Sequence, residues 1–343
     1  MSEQTILITG GAGYIGSHTI IALSEMTNSR IVSVDNYSNS SAETYNRIKS
    51  ILGKDIEHVE ADLSDKNQVE KVFGKFKGIT GIIHFAAHKS VPESVENPLE
   101  YYRNNLFSLI NILSCAKEFS VPHFIFSSSC SIYGNISQLP VNENTPPSKP
   151  ESPYASTKII GEEIVRESAL ASDSLKTISL RYFNPVGAHP SAQLGELPLN
   201  KPNNLVPVIT QTAIGIKKEF TVFGNDYGTR DGTCIRDYVH VCDIARAHVL
   251  ALRALEEKKI TQKNETLNLG TGKGVTVLEA IHSFEKVSGV KPSYKIGPRR
   301  AGDVEAIYSD CSKVKKILGW QPEFSLDDMM DSAWKWELHL AGK

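Results

Sequence analysis

The chain has 343 residues, of which 40 % are hydrophobic and 22 % charged, and its formal net charge is −2. That length suits one large domain or two modest ones, and the composition suits a soluble globular protein of enzyme size. The charge balance gives no electrostatic case for nucleic acid or an anionic membrane as a partner, and no apolar run approaches a membrane span.

The opening residues, Met-Ser-Glu-Gln-Thr, carry no signal-peptide pattern and run straight into an apolar stretch. That stretch, Thr5-Ile-Leu-Ile-Thr9, is bounded by glycine and reads as a buried strand. Gly10-Gly-Ala-Gly13-Tyr-Ile-Gly16 follows, and then a helical pattern to about Met26. Glycines here let a helix N-terminus approach a pyrophosphate and let that helix pack on the strand. A second apolar run, Ile31-Val-Ser-Val, ends in Asp35, where a carboxylate can accept from an adenosine ribose and would repel a 2′-phosphate. Strand, glycines, helix, strand and acid in this order point to NAD rather than NADP.

The alternation continues with strands expected at 56–60, 79–87 and 124–127 and a long helix over 98–119. Strands spaced by helices mean right-handed crossovers and a parallel sheet, whose ligands gather at the carboxyl ends of the strands. Gly10–Gly16, Asp35, Asp62, Ala86–Ala87 and Ser127–Ser129 all stand at such ends. Residues 138–153 carry five prolines and read as an ordered surface loop. The loop delivers the chain to Ser152-Pro-Tyr154-Ala-Ser-Thr-Lys158, in which Ser152 can cap a helix and Pro153 suits its first turn.

Tyr154 and Lys158 then lie on one helical face. A free tyrosine titrates near 10, and a neighbouring ammonium favours the phenolate. Lowering that pKa by about three units takes roughly 4 kcal/mol of differential interaction. The expected chemistry is proton transfer at Tyr154 while a bound dinucleotide moves a hydride. The same spacing recurs at Tyr45 and Lys49, where no serine cluster precedes it, so that pair reads as a solvated helix face.

Beyond a strand at 177–182 the alternation weakens. Helices are expected over 205–218, 241–257, 275–288 and 325–340, with strands at 220–223 and 266–270 and a polar loop over 224–237. The fold class is therefore α/β: a Rossmann-type doubly wound parallel sheet with a smaller C-terminal substrate domain. The expected division is residues 1–183 for the dinucleotide, with elements returning from about 241–273, and 184–343 for the substrate. The five cysteines, Cys115, Cys130, Cys234, Cys242 and Cys311, are scattered and odd in number. Free thiols in a reducing cytoplasm are expected, without a disulfide framework or a metal site.

The glycine loop, Phe126-Ser-Ser-Ser129-x-x-x-Tyr133-Gly134, Tyr154-x-x-x-Lys158 and Arg181-Tyr-Phe-Asn-Pro185 resemble the marks of extended short-chain dehydrogenase/reductases. Phe183-Asn-Pro-Val-Gly-Ala-His-Pro190, Pro202-Asn-Asn-Leu205, Phe223-Gly-Asn-Asp-Tyr227, Arg236-Asp-Tyr-Val-His240 and Pro298-Arg-Arg-x-Gly-Asp303 narrow the resemblance to the UDP-galactose 4-epimerase family. The resemblance implies that Tyr154 takes the proton of the sugar 4-hydroxyl while C4 gives hydride to NAD. The 4-keto sugar then turns over and hydride returns to its other face, which interconverts UDP-glucose and UDP-galactose. Ser129 would bond the same oxygen, and Lys158 would hold the nicotinamide ribose.

Gly10, Gly13, Tyr14, Ile15, Gly16, Asp35, Asn36, Asn39, Asp62, Leu63, Phe85, Ala86, Ala87, Lys89, Asn104, Ser127 and Phe183 carry over as NAD contacts. For the substrate, Arg236 and Arg300 match diphosphate contacts, and a guanidinium fork suits phosphate oxygens. Asp303 matches a contact to the uridine ribose. Asn184, Asn204 and Leu205 lie around the diphosphate and nucleotide, and Phe223 beside the uracil. Ile307 matches a position near the hexose 2-substituent, where an intermediate side chain implies at most weak activity on N-acetylated sugars. The helices near 98–119 and 153–172 match those of a homodimer interface. Two rivals are an NAD-dependent 4,6-dehydratase and a non-catalytic NAD sensor. The first needs an added acid–base pair that Ser129-Cys-Ser-Ile132 does not supply, and the second would be expected to have lost Tyr154 or Lys158.

Overall fold

The computed structural model describes residues 4–198, 202, 204–300 and 303–343. Asn203 and Gly302, in two of the strings above, lie outside the described residues. Seven strands form one parallel sheet in the order Asn264–Leu269, Lys176–Tyr182, His123–Ser129, Ile79–His84, Thr5–Thr9, Arg30–Asp35, Glu57–Glu60. Strand order reverses between Thr5–Thr9 and Ile79–His84, the place where such sheets open a crevice for ligands. The first strand is completely buried because alternate side chains feed opposite layers. Ile6 and Ile8 enter one core with Ile83, Ile125 and Ile178, while Leu7 enters the other with Val32, Ile82 and Phe124.

Helix Val241–Glu256 and strand Asn264–Leu269 return to this layer. The helix packs along Tyr14–Met26, and the strand closes the sheet beside Lys176–Tyr182. A third core collects Val186, Val206, Ile209, Phe220, Phe284 and Met330 under the C-terminal helices.

Several boundaries move. The strand expected at 79–87 stops at His84, after which Phe85 and Ala86 turn their amides to the Thr9 carbonyl and hydroxyl at 3.1 and 3.3 Å. The helix expected to reach 218 ends at Ala213, just before Gly215 takes φ +95°. The polar loop over 224–237 contains the short strand Ile235–Arg236. Its neighbours are Val275–Thr276 and Ala306–Ile307, and nearby Tyr238–His240 pairs in parallel with Asn184–Val186. Tyr45 is helical as expected but not solvated: it is buried, its hydroxyl meets Ser33 at 2.8 Å and its ring stacks on His58. Only Lys49 of that pair faces solvent, bound to Asp55. All five cysteines are unpaired. Among the described residues no helix is long and apolar enough to cross a membrane, and no cluster of His, Cys, Asp or Glu could hold a metal.

Candidate active site

The glycine turn is built by steric exclusion. Gly10 adopts φ +69°, and a Cβ there would come within 2.8 Å of the Ala86 nitrogen. A Cβ on Gly16 would meet the Gly10 carbonyl at 2.3 Å, so the first turn of the helix can lie on the strand end only with glycine at this position. Gly13 is the N-cap of Tyr14–Met26, with no side-chain cap and no acid in the first turn. The positive end of this helix dipole therefore faces the crevice without a competing carboxylate. Asp35 is buried at the neighbouring strand end and accepts from the amides of Ala12 and Tyr37, both at 2.9 Å, and from the Ser40 hydroxyl at 2.8 Å. These features fit a dinucleotide with its pyrophosphate at Gly13 and a ribose at Asp35.

The other residues expected to contact the cofactor lie after the strand ends or on the helices that follow them. Asn36 and Asn39 lie in the turn after Asp35, and the Asn36 side chain accepts from the Ser38 amide at 3.1 Å. Asp62 and Leu63 follow the strand Glu57–Glu60; Asp62 bonds the Ser64 amide at 2.9 Å and the Leu63 carbonyl accepts from Asn111 at 2.9 Å. Ile15 packs on the core, and the Tyr14 hydroxyl donates to the Gly187 carbonyl at 2.5 Å. Phe85 lies against His248, and Ala86 and Ala87 line the turn beyond. Asn104 donates to Asn105 at 2.9 Å, and Phe183 is buried beside Tyr133. Lys89 is drawn instead to Glu196, at 3.0 Å.

Ser152 caps the helix Pro153–Leu170 as expected, accepting from the Ala155 amide at 3.2 Å. This sets Tyr154 in the first turn and buries Lys158 against the end of His123–Ser129. The Lys158 ammonium donates to the Ser127 carbonyl at 2.7 Å and lies 5.1 Å from the Phe126 ring centre and 5.8 Å from that of Tyr154. The Ser127 hydroxyl is held by Tyr182. Burial pushes the Tyr154 phenol up to about 12, and the hydrogen bond with Ser129 pulls the other way. The phenol thus stands raised rather than lowered, and one N–H of the ammonium expected to acidify it is spent on a backbone carbonyl of the strand. Burial brings Lys158 itself down to about 8, against the opposing charge of Glu162 one turn on.

The short strands carry several of the residues expected at the substrate, Asn184, Phe223, Arg236 and Ile307. Their registers place Arg236 beside Ile307, and Asn184 beside Tyr238. Arg300 forms two bonds to Asp303, at 3.0 and 2.8 Å, and Arg236 lies 3.6 Å from the same carboxylate. Arg236 is fixed by the carbonyls of Ile235 and Val304 at 2.9 and 2.8 Å. Phe223 is 40 % exposed under the Arg300 guanidinium, so it offers an open ring face. Asn184 has a buried side-chain oxygen without a partner, which suits a residue that waits for a ligand. Asn204 precedes the helix Leu205–Ala213, leaves its N-terminus uncapped, and donates to Glu196 at 2.7 Å.

Three carboxylates were missed by sequence reasoning. Asp237, fully buried inside a quoted motif, accepts from Thr271, Gly272 and Ser309 and fixes the loops behind Arg236. Glu162 pairs with Arg181, and its position four residues after Lys158 was the available signal. Glu196 had no signal in the sequence.

The chain is similar to known proteins over nearly its whole length. The profile of the family described as GDP-mannose 4,6 dehydratase matches residues 7–333. The chain is 45 % identical over 336 residues to the UDP-glucose 4-epimerase of Bacillus subtilis, covering 97 % of each chain. It is 42 % identical over 343 residues to that of Homo sapiens, covering 98 % of this chain and 97 % of the other. The crystal structure of UDP-glucose-4-epimerase from Stenotrophomonas maltophila with NAD and formylated UDP-arabinopyranose superposes with a TM-score of 0.94 at 41 % identity, over 99 % of both chains. That from Bifidobacterium longum with NAD+ and UDP gives 0.92 at 43 %, over 98 % of both.

Proposed function

Because this chain belongs to the UDP-glucose 4-epimerase family, we propose that Tyr154, Ser129 and Lys158 carry its chemistry and that Arg236, Arg300 and Asp303 anchor its substrate. The protein interconverts UDP-glucose and UDP-galactose by inverting C4 through a transient 4-keto sugar, with NAD as hydride carrier. When bound, NAD supplies the hydride acceptor and a cationic ring that favours the phenolate. Tyr154 exchanges the proton of the 4-hydroxyl, and Ser129 steadies that oxygen. Lys158 spends one N–H on the Ser127 carbonyl and keeps two with which to bond a ribose hydroxyl. The guanidinium forks of Arg236 and Arg300 grip the diphosphate while Phe223 offers a face to the base. Firm nucleotide anchors with few hexose contacts let the keto sugar present either face.

The observation that carries this reading is the convergence of Tyr154, Ser129 and Lys158 at the carboxyl end of His123–Ser129, two strands along the sheet from the glycine turn. The test is to denature the purified protein, look for released NAD, and assay interconversion of the two UDP-hexoses. Absence of both NAD and epimerisation sinks it. A 4,6-elimination lacks its acid–base pair here, since the turn after Ser128 offers Ser129, Cys130 and Ser131 and no carboxylate.

We further propose the division into a dinucleotide lobe over 1–183 and a substrate lobe over 184–343, a cytoplasmic location, and a homodimer. An exposed apolar stripe supports the dimer: Leu99, Phe107 and Ile110 on Pro98–Glu118 and Ile160 on the adjacent helix Pro153–Leu170. Each such side chain contributes about 1.5–3 kcal/mol when buried. Phe107→Glu with Ile110→Glu removes four such side chains per dimer and is therefore expected to raise the dimer dissociation constant by about 10⁴ or more, read by sedimentation velocity. A parent that sediments as a monomer ends the proposal.

Ile307 is buried in register with Arg236. We propose that its bulk restricts the hexose 2-position. UDP-N-acetylgalactosamine is expected to turn over about tenfold or more slower than UDP-galactose, with Ile307→Ala narrowing the gap. Equal turnover of the two by the parent refutes this.

A further inference from the structure

Glu196 lies in none of the sequence motifs, yet its backbone is held on several sides. Ala188 and Gly195 form an antiparallel bridge, the His189 amide donates to the Leu194 carbonyl at 2.8 Å, and Leu194 is buried. The Trp336 ring lies on Gly195 so closely that a Cβ there would meet it at 2.5 Å. The indole N–H then donates to the Glu196 carbonyl at 2.9 Å. The carboxylate thus projects from a fixed stem, and its side chain is only 12 % exposed.

One oxygen of that carboxylate, Oε1, accepts from two residues of different origin. Lys89 Nζ donates to it at 3.0 Å, and Asn204 Nδ2 donates to it at 2.7 Å. Lys89 follows the strand end Ile79–His84 at the cofactor crevice, and its ammonium lies 5.9 Å from the Tyr14 ring centre. Asn204 opens the helix Leu205–Ala213 on the substrate side. Two donors on one acceptor oxygen constrain each other: moving either changes the best position of the carboxylate for the second.

We infer that Glu196 is a positioning residue that couples the dinucleotide site to the UDP-sugar site by holding Lys89 and Asn204 on one oxygen. The inference rests on the assignment of Lys89 to the cofactor and Asn204 to the substrate proposed above. Each donor keeps a further N–H for a ligand, so a phosphate that accepts from Lys89 steadies the ammonium and with it the carboxylate that holds Asn204, and a diphosphate on Asn204 steadies Lys89 in the same way. Occupation of one site therefore steadies a donor of the other. By thermodynamic linkage the effect on binding is reciprocal.

The experiment measures loss of NAD from the purified holoenzyme with and without saturating UDP, by fluorescence and by assay of the released nucleotide. UDP is expected to slow NAD loss from the parent by about fivefold or more, the lower end of ordinary coupling. In Glu196→Ala that factor falls below about twofold. Glu196→Gln keeps an acceptor for Asn204 but drops the charge for Lys89, and falls between the two. Since Trp336 bonds the main chain, both variants keep the stem. A merely structural role would lower the melting temperature and leave the UDP protection factor unchanged, and that result overturns the inference. So does a parent whose NAD loss is indifferent to UDP. A parent that holds neither NAD nor UDP fails the epimerase assignment itself. A parent that holds both, with variants protected as well as the parent, defeats only the coupling role.

Discussion

Tyr154→Phe is expected to lower kcat for interconversion of UDP-glucose and UDP-galactose by about 10²–10⁴, the span contributed by a positioned acid–base group. The variant should still copurify with NAD and bind UDP with little change. The phenol touches neither the glycine turn nor the arginine pair, and removing one oxygen leaves the ring packed in place. Because kcat falls without a matching rise in KM, the lost interaction belongs to the transition state. The environment explains why one hydroxyl carries so much. Burial holds the phenol at about 12 at rest, and the Ser129 hydroxyl is the partner that pulls it down. Ser129→Ala should therefore act in the same direction, by about tenfold, through a phenol that ionises less readily. Retention of one tenth or more of parental kcat in Tyr154→Phe would remove Tyr154 from the reaction.

How far the sequence disclosed this site follows from the range of the forces involved. Strand, glycine turn and acid are local, and Gly10–Gly16 with Asp35 stand where periodicity placed them. Helical spacing put Tyr154 and Lys158 on one face, but spacing does not fix a rotamer. Lys158 found a carbonyl acceptor at Ser127, 31 residues away in sequence, and turned to it. Tyr45 fails for a similar reason: its helix was legible, but its burial depends on His58 and Ser33 from neighbouring strands. The substrate side was legible only through resemblance. Asn184–Val186, Ile235–Arg236 and Ala306–Ile307 are two or three residues long, too short for any periodicity, and they meet across long stretches of chain. Glu196 is silent for the same reason, since both its partners come from elsewhere in the fold.

Arg181→Met should destabilise the protein by about 3–5 kcal/mol, the ordinary result of leaving one member of a buried ion pair alone. Arg181 and Glu162 are 8 % and 14 % exposed and joined by two bonds of 2.8 and 2.6 Å. Burial works against the Arg181 charge, and Glu162 more than offsets it, so the guanidinium stays above its ordinary range. Ser128 donates to the same carboxylate at 2.5 Å, and Tyr133 accepts from Arg181 at 3.0 Å. The pair thus ties the helix of Tyr154 and Lys158 to the strand Lys176–Tyr182, and the Ser128 bond ties the same carboxylate to the strand end that supplies Ser127 and Ser129. Urea unfolding of the holoprotein reads the loss. Arg181→Met combined with Glu162→Gln should regain most of it, because no buried charge is then left unpaired. Its activity should not recover in parallel. Burial alone then acts on Lys158, already at about 8 with Glu162 opposing, and its pKa falls further. The ammonium is lost at lower pH, so the alkaline limb of the kcat profile moves towards acid. A single variant within about 1 kcal/mol of the parent, or a double variant with the parental pH profile, would reduce the pair to packing with no hold on the catalytic lysine.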